Sequence, residues 1–510
     1  ENWNYSAGGE SAFLAFDPDN PRYVLGGSYQ GTIEVLDMET QGSTNIMAAP
    51  IQYLGMDAKD MKYRFNWNAP IIWSQHEPNT FYHASQILLK TQDMGQTWTE
   101  VSPDLTRNEK EKQGTPGVPY TNEAVGAENY GTIAYVMESP HEAGVIWTGS
   151  DDGLVHLTRD GAKTWINVTP KGLQETLINA IEVSPHDPAT AYIATTRYKF
   201  NDYTPAIYKT TDYGKTWTNI SKGIPYGAFT RVVREDSKKK GLLYAGTEQG
   251  VYISRDGGAN WTSFQLNLPV TPITDLKVAH DDLIVATSGR SFWILDELNV
   301  VREVKEKVDQ PTLYTPENAL LGNWYSSMNG GNLEEFTGTH PFEGINPANG
   351  MVIHYSLPES VTDSTELTLE ILDAKGNMVR KISSKRIPDA KSWAGGPPLE
   401  PTISTRKGLN RFVWDMRHPT MPGIPGVYIE SSYRGHKAIP GMYTIRLSGM
   451  GVSSEAQAEI KDIPAYKLTA ADYQAYHEWM SKLEAEVSTM HNMVNTAKDY
   501  QDQLASLLKR

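Results

Sequence analysis

The chain contains no cysteine in 510 residues. Disulfide staples, thiolate nucleophiles and Cys-ligated metals are therefore excluded. It also lacks any apolar run near the roughly 18 residues of a membrane-crossing helix, so it does not read as transmembrane. Positive charge is in deficit, with 46 Lys and Arg against 61 Asp and Glu, a net −15. Such a chain has no overall basic field to grip a phosphate backbone, which argues against nucleic-acid partners. There is no GxSxG elbow and no phosphate loop, and the twelve His form no HExxH pair. The acidic turn at Asp17–Pro21 lacks EF-hand spacing. Neither a cofactor nor a metal is expected. The chain opens Glu1-Asn2-Trp3, with no initiator Met and no signal peptide. That start predicts a removed targeting segment and a piece of a longer protein. With the missing cysteine, it suits an extracytoplasmic place: the periplasm, the outer-membrane surface or secretion.

What the chain does have is turns and aromatics: 42 Gly, 30 Pro, 27 Tyr and 13 Trp. These suit a turn-rich β protein better than a helical bundle. Four windows share the pattern Ser/Thr-x-Asp-x-Gly-x-Thr-Trp. They are Thr91/Asp93/Gly95/Thr97/Trp98, Thr158/Asp160/Ala162/Thr164/Trp165, Thr210/Asp212/Gly214/Thr216/Trp217 and Ser254/Asp256/Gly258/Asn260/Trp261. The tryptophans stand 67, 52 and 44 residues apart (165 − 98, 217 − 165, 261 − 217). Around each window lie short strands separated by Pro/Asp or Asp-Gly turns, four per unit. Two further units, near 13–37 and 273–296, keep the strands without the full motif. About six units fill residues 10–300. A period of 40–50 with short strands predicts propeller blades, because one four-stranded sheet cannot bury both faces alone. In each window the Asp can accept backbone N–H groups and the Gly can take a positive φ. The Trp can pack between neighbouring sheets.

These windows resemble the Asp-box, or BNR repeat, of sialidases, xyloglucanases and sortilin-type propellers. The strings "RFNWNAPI", "YGTIAYVMESP", "GSDDGLVHLTRDG", "YKTTDYGKTWT" and "GRSFWILDELN" are similar to bacterial sortilin-like (VPS10-type) BNR-repeat proteins often labelled glycosyl hydrolase. The resemblance covers residues 1 to about 300 strongly and the rest moderately. It implies an Asp-box β-propeller of about six or seven four-stranded blades, continued upstream of this chain. It also implies an exported protein that binds a glycan, or cleaves one, or serves as a receptor for protein ligands.

After residue 300 the texture changes. Residues 301–349 are rich in Gly and Asn and read as a connection. Residues 350–462 hold six strand patterns, with Ala374-Lys375-Gly376-Asn377 as a hairpin loop, in an order that resembles an Ig-like β-sandwich. Residues 468–510 read as one long helix. Thr469 and Asp472 make a capping-box pair. Tyr476, Met480, Leu483, Val487, Met490, Val494, Ala497, Leu504 and Leu508 form a heptad stripe. That stripe predicts a helical partner for residues 470–510, within the chain or from another. The family resemblance implies a helical hairpin whose second helix lies beyond Arg510.

The Asp-box carboxylates Asp93, Asp160, Asp212 and Asp256, and the tryptophans Trp98, Trp165, Trp217 and Trp261, are expected to be structural. They recur in equivalent turns, and a catalytic group is rarely needed four times. Ligands of propellers usually enter where the inner strands begin. Candidates there are Asn66, Trp67 and Asn68; Glu128, Asn129 and Tyr130; Thr230 and Arg231; and Thr274 and Asp275. Asp151 and Asp152 in the "GSDDG" turn and Arg290 join them. Carboxylates, Arg, Asn and aromatics together suit a sugar. If the site hydrolyses glycosides, Glu128 is the first acid candidate, with Asp151 or Asp152 as partner. Such a pair stands about 5–5.5 Å apart for retention or 6.5–9.5 Å for inversion. The alternative is a non-catalytic protein- or peptide-binding receptor or scaffold subunit of a cell-envelope complex. A channel plugged by side chains would favour that alternative. No three arginines are spaced to suggest a sialidase clamp.

Overall fold

A computed structural model describes residues 6–10, 13–120, 128–322, 348–362, 364–387, 393–429, 432–463 and 466–509. The chain divides into two units, Glu1–Leu295 and Asp296–Arg510.

The first unit is a β-propeller of six antiparallel sheets. Five have four strands in chain order; the sixth has three among the described residues. The innermost strands are Leu14–Asp17, Ile71–Trp73, Ile133–Glu138, Leu177–Val183, Thr230–Glu235 and Ile273–Ala279, and each contacts the next. Apolar side chains gather between the sheets rather than within them. Ala15, Leu25 and Ile33 of the first blade meet Ile71 and Phe81 of the second, with Trp98 against them. Tyr82 and Leu88 of the second meet Ile133 and Ile146 of the third, beside Trp165. Trp147 and Leu157 of the third meet Ile181 and Ile193 of the fourth, beside Trp217.

The repeated turn explains these positions. In the first window Thr97 N and Oγ1 donate to the two oxygens of Asp93 (2.9 and 2.6 Å), while Gly95 N donates to Thr91 Oγ1 (2.8 Å). The same bonds recur at Asp160, Asp212 and Asp256. The threonine or asparagine side chain, then its backbone N–H, hold all four carboxyls below the usual range, Asp160 and Asp212 at about 2. The closed turn aims each indole at the preceding blade. Trp98, Trp165, Trp217 and Trp261 donate Nε1–H to the carbonyls of Ile46, Val101, Val168 and Ile220 at 2.6–3.0 Å. Gly95 has φ +84°, and a Cβ there would stand 2.4 Å from Ile46 Cδ1. Ala162 occupies the equivalent place at φ 69°.

A second repeated bond runs the other way. His76, His141 and His186 lie just past the inner strands. Each points Nε2 at a carbonyl of the following blade: Ser139 (2.7 Å), Ser184 (2.9 Å) and Asp236 (2.7 Å). A carbonyl only accepts, so Nε2 carries the proton. The sequence pattern Ser-x-His at 74–76, 139–141 and 184–186 is its signature, with the Ser Oγ accepting the His backbone N–H.

The second unit is a two-sheet β-sandwich with a long helix. One sheet orders Thr312–Leu313, Met351–Leu357 and Gly408–Trp414. The other orders Ala319–Leu320, Val452–Lys461, Gly441–Gly449, Leu367–Leu372 and Met378–Ser383. Inward residues of both, including Ile353, Tyr355, Leu369, Trp414, Ile445 and Ile460, make one core. Thus two short strands of the stretch read as a connection join the sandwich sheets; residues 323–347 of that stretch lie outside the described residues.

The helix spans Ala470–Leu508, 39 residues. Thr469 and Asp472 close the capping box reciprocally (2.8 and 3.3 Å). Only part of the expected apolar stripe lies on the face that the helix packs on its own unit: Met480 and Val487 are half-buried, and the rest points outward. Leu483 is 42% exposed and Met490 53%. Instead Tyr473 and His491 are buried and Glu484 is half-buried. His491 Nδ1 meets the Pro422 carbonyl (2.7 Å) and Asn495 donates to that of Gly423 (2.9 Å). The physical reason is a second heptad one residue along. His477, Glu484 and His491 follow Tyr476, Leu483 and Met490. The facing loop offers carbonyls and imidazoles, so hydrogen bonds rather than apolar area decide which row turns inward. No helix among the described residues is long and apolar enough to cross a membrane.

Candidate functional site

The inner strands of four blades send side chains to a common point. Arg234 is buried; its guanidinium donates to Tyr135 Oη (2.9 Å), Asp275 Oδ1 (2.9 Å) and the Leu276 carbonyl (2.8 Å), and reaches Glu182 at 3.4 Å. These residues belong to blades three, six, six and four, and Arg234 to blade five. Burial raises the pKa of the Glu182 carboxyl, although Arg234 opposes it. Asp275, a candidate from its sequence position, is thus exposed and paired with Arg234 among the inner strands.

The end where the inner strands begin is richer. Asp151, just past Ile146–Ser150, accepts four protein donors: Gly131 N (3.1 Å) and Thr132 N (2.9 Å) on Oδ1, Thr132 Oγ1 (3.1 Å) and Asn66 Nδ2 (3.3 Å) on Oδ2. Asn66 also reaches the Asn129 carbonyl (3.3 Å). Those bonds clasp the loop before blade two to blade three. Asp152 is fully buried; Ser150 Oγ (2.5 Å) and Arg107 N (2.8 Å) donate to it. Burial, then the neighbouring Asp152, raises the Asp151 pKa; burial raises that of Asp152.

Beside them Glu175, not foreseen from sequence, accepts from Tyr130 Oη and from Lys112 Nζ (2.9 Å). Burial alone would raise its pKa, but Tyr130 and Lys112 outweigh burial and lower it. Tyr120 packs edge-on against both Tyr130 and Phe200. From there an aromatic ledge continues over blades four and five. Tyr198 stacks on Phe229 at 5.5 Å, and Tyr203 contacts Phe229 and Tyr226. Tyr226 is 68% exposed, and Tyr198, Phe200 and Tyr203 are exposed too. Arg231 pairs with Glu248 (2.6 Å) beside Tyr198 and Phe229.

The other candidates are scattered. Trp67 packs edge-on against Tyr29 at 4.8 Å, away from the ledge. Asn68 is exposed. Glu128 is half-buried, and its carbonyl accepts from Gly117 N (2.9 Å). Thr230 Oγ1 donates to the Thr195 and Ala206 carbonyls. Arg290 lies in an exposed turn, its N–H bonded to Thr287 Oγ1 (3.1 Å). Sequence reading missed the ledge because Tyr198 to Tyr203 follow a middle strand rather than precede an inner one. The "RYKF" run, which ends one strand at Arg197 and opens the short turn before the next, was the available signal.

No family model matches the chain. Over 181 residues it is 25% identical to an oligoxyloglucan-reducing end-specific xyloglucanase of Emericella nidulans, 31% of this chain and 22% of that protein. The match therefore spans about a fifth of the relative's length. Among solved structures, the GH74 xyloglucanase from Xanthomonas campestris is similar with a TM-score of 0.39 and 17% identity. That match covers 56% of this chain and 44% of that one. YCF48 bound to D1 peptide has a TM-score of 0.37 and 13% identity, over 56% and 77%.

Proposed function

We propose that this is an exported, sortilin-like propeller that binds a glycan on the end where its inner strands begin. The observation that carries this reading is the exposed aromatic ledge Tyr198, Phe200, Tyr203 and Tyr226, flanked by Glu175, Arg231 and Glu248. Aromatic faces stack on sugar rings, and charged neighbours take the hydroxyls. The xyloglucanase relative makes xyloglucan oligosaccharides the first probe. In this reading Asp151 and Asp152 are loop clasps rather than catalysts. A carboxylate has about four acceptor directions, and four protein donors already fill those of Asp151.

Titration calorimetry with xyloglucan oligosaccharides and a panel of other glycans tests the proposal. Tyr226→Ala and Phe200→Ala should each weaken binding about tenfold, near 1.4 kcal/mol. The same panel is assayed for hydrolysis by wild type, Glu128→Gln and Asp151→Asn. Glycosidase activity abolished by Asp151→Asn but retained by Glu128→Gln would overturn the clasp reading, and activity abolished by Glu128→Gln would make Glu128 the acid.

A second reading is a non-catalytic receptor for polypeptide ligands within a cell-envelope complex, with the sandwich as an Ig-like module. The cluster around Arg234 favours it, since the carboxylates Glu182 and Asp275 there are engaged by that guanidinium rather than left as an acid/base pair. Binding of extended peptides, with no glycan bound, would select it.

A further inference from the structure

Three histidines from distant parts of the second unit face one another. His418 and His436 lie on two paired segments: His418 N donates to the His436 carbonyl (3.0 Å), and Ala438 N to that of Met416 (2.7 Å). His477 comes from the first half of the long helix. One nitrogen from each ring falls within 4.8 Å of the other two. His436 Nε2 and His477 Nδ1 stand 2.9 Å apart. Rings coordinated at ~2.0–2.1 Å to one ion have nitrogens about 3.0–3.4 Å apart, so this pair is already near the separation of two ligands.

The surroundings fit such a centre. Glu484, two turns along the helix from His477, takes His436 by both ends. Its carboxylate accepts from the His436 backbone N–H (2.6 Å) and meets the ring Nδ1 at 2.8 Å. With Nδ1–H given to a carboxylate, the lone pair of His436 sits on Nε2, facing His477. A carboxylate behind a histidine is the usual device for fixing a metal ligand's tautomer and raising its basicity. His436 is buried and Glu484 half-buried.

We propose that His418, His436 and His477 bind one divalent transition ion of the zinc class, with Glu484 positioning His436. All-imidazole donors without thiolate suit Zn²⁺, Co²⁺, Ni²⁺ or Cu²⁺ and disfavour Mg²⁺ and Ca²⁺. Three protein ligands leave a fourth position for water or a ligand atom. The His418 ring stacks on His436 at 4.0 Å, with 10° between the planes. Binding therefore turns His418 out of that stack so that its nitrogen faces the shared point. The ion would join three separate segments and clamp the helix to the sandwich.

The test uses the untagged full chain, stripped with chelator and titrated with Co²⁺ and Zn²⁺. Expected are one ion per chain, visible d–d bands from Co²⁺ and a raised melting temperature with Zn²⁺. His477→Ala and His418→Ala should each weaken binding at least 100-fold. Glu484→Gln should weaken it about 10–100-fold. His491→Ala, on the same helix but bonded to the Pro422 carbonyl, should leave binding unchanged. X-ray absorption of the zinc-loaded wild type should find three imidazole ligands, a readout that does not depend on any variant folding. Binding undiminished in His477→Ala, an oxygen-only shell, or no uptake by wild type would each overturn the proposal.

Discussion

The two units use histidine in opposite ways. In the propeller, His76, His141 and His186 each meet a backbone carbonyl of the next blade, at equivalent positions. In the second unit, His418, His436 and His477 meet one another, and nothing about their placement repeats. A carbonyl fixes an imidazole's proton and occupies it as a strut. Three imidazoles sharing a point leave lone pairs over. The difference teaches where to look for chemistry in a repeat protein: groups that recur with the blades hold the blades, and groups that break the pattern are free to do something else. The same contrast separates Asp93, Asp160, Asp212 and Asp256 from Glu175.

The comparison can be broken at several points. The largest effect is expected at Trp261, which is buried and also bonds Ile220. Trp261→Ala should cost about 3–5 kcal/mol in denaturant unfolding of the propeller. A loss below 1 kcal/mol would mean that the indoles do not hold the blades. Next comes His186→Ala, which removes the donor to the Asp236 carbonyl and should cost about 1–3 kcal/mol. Metal uptake should not change, and a fall in uptake would erase the distinction between the two sets.

The third prediction concerns acid. The Asp160 and Asp212 carboxyls sit below their ordinary value of 3.8, at about 2. Their contribution is therefore complete above pH 4 and is lost as pH falls through 2. Glu182, with its pKa raised from 4.5, acts in the opposite sense and lowers stability as pH climbs above that value. Asp160→Asn should flatten the stability profile between about pH 4 and 2 while leaving its shape near neutrality. An unaltered acid limb would count against the turn bonds as its source. The smallest effect is a gain: Ala162→Gly should stabilise the propeller by up to about 1 kcal/mol, since only this window holds an alanine where the others have a left-handed glycine. Gly95→Ala, which would drive a Cβ into Ile46, should do the reverse.

The blades were legible in the sequence because the Asp and Gly of each window act locally, within one turn, and the turn, with its Trp, recurs four times. The capping box at Thr469 was legible for the same reason. The strut histidines were visible as Ser-x-His but went unread, since their acceptors lie 43 to 63 residues away. The packed face of the helix was only half legible because two heptads run side by side, and of the apolar stripe Met480 and Val487 turn partly inward. Spacing alone favours Tyr476, Leu483 and Met490, and only the facing loop selects His477, Glu484 and His491. Glu175 and the aromatic ledge were missed because their meaning comes from convergence between blades, which no window of sequence contains.

The indoles clasp backward along the chain and the imidazoles clasp forward, so the three interfaces between the second and fifth blades are fastened from both of their neighbours, and that between the first and second by an indole alone. A blade cannot detach without undoing fastenings that belong to the next. Limited proteolysis of the propeller should therefore pass from intact chain to small peptides with few stable fragments between. The first cuts should collect at the sixth sheet, whose last strand leaves Phe292 and Ile294 bare to solvent.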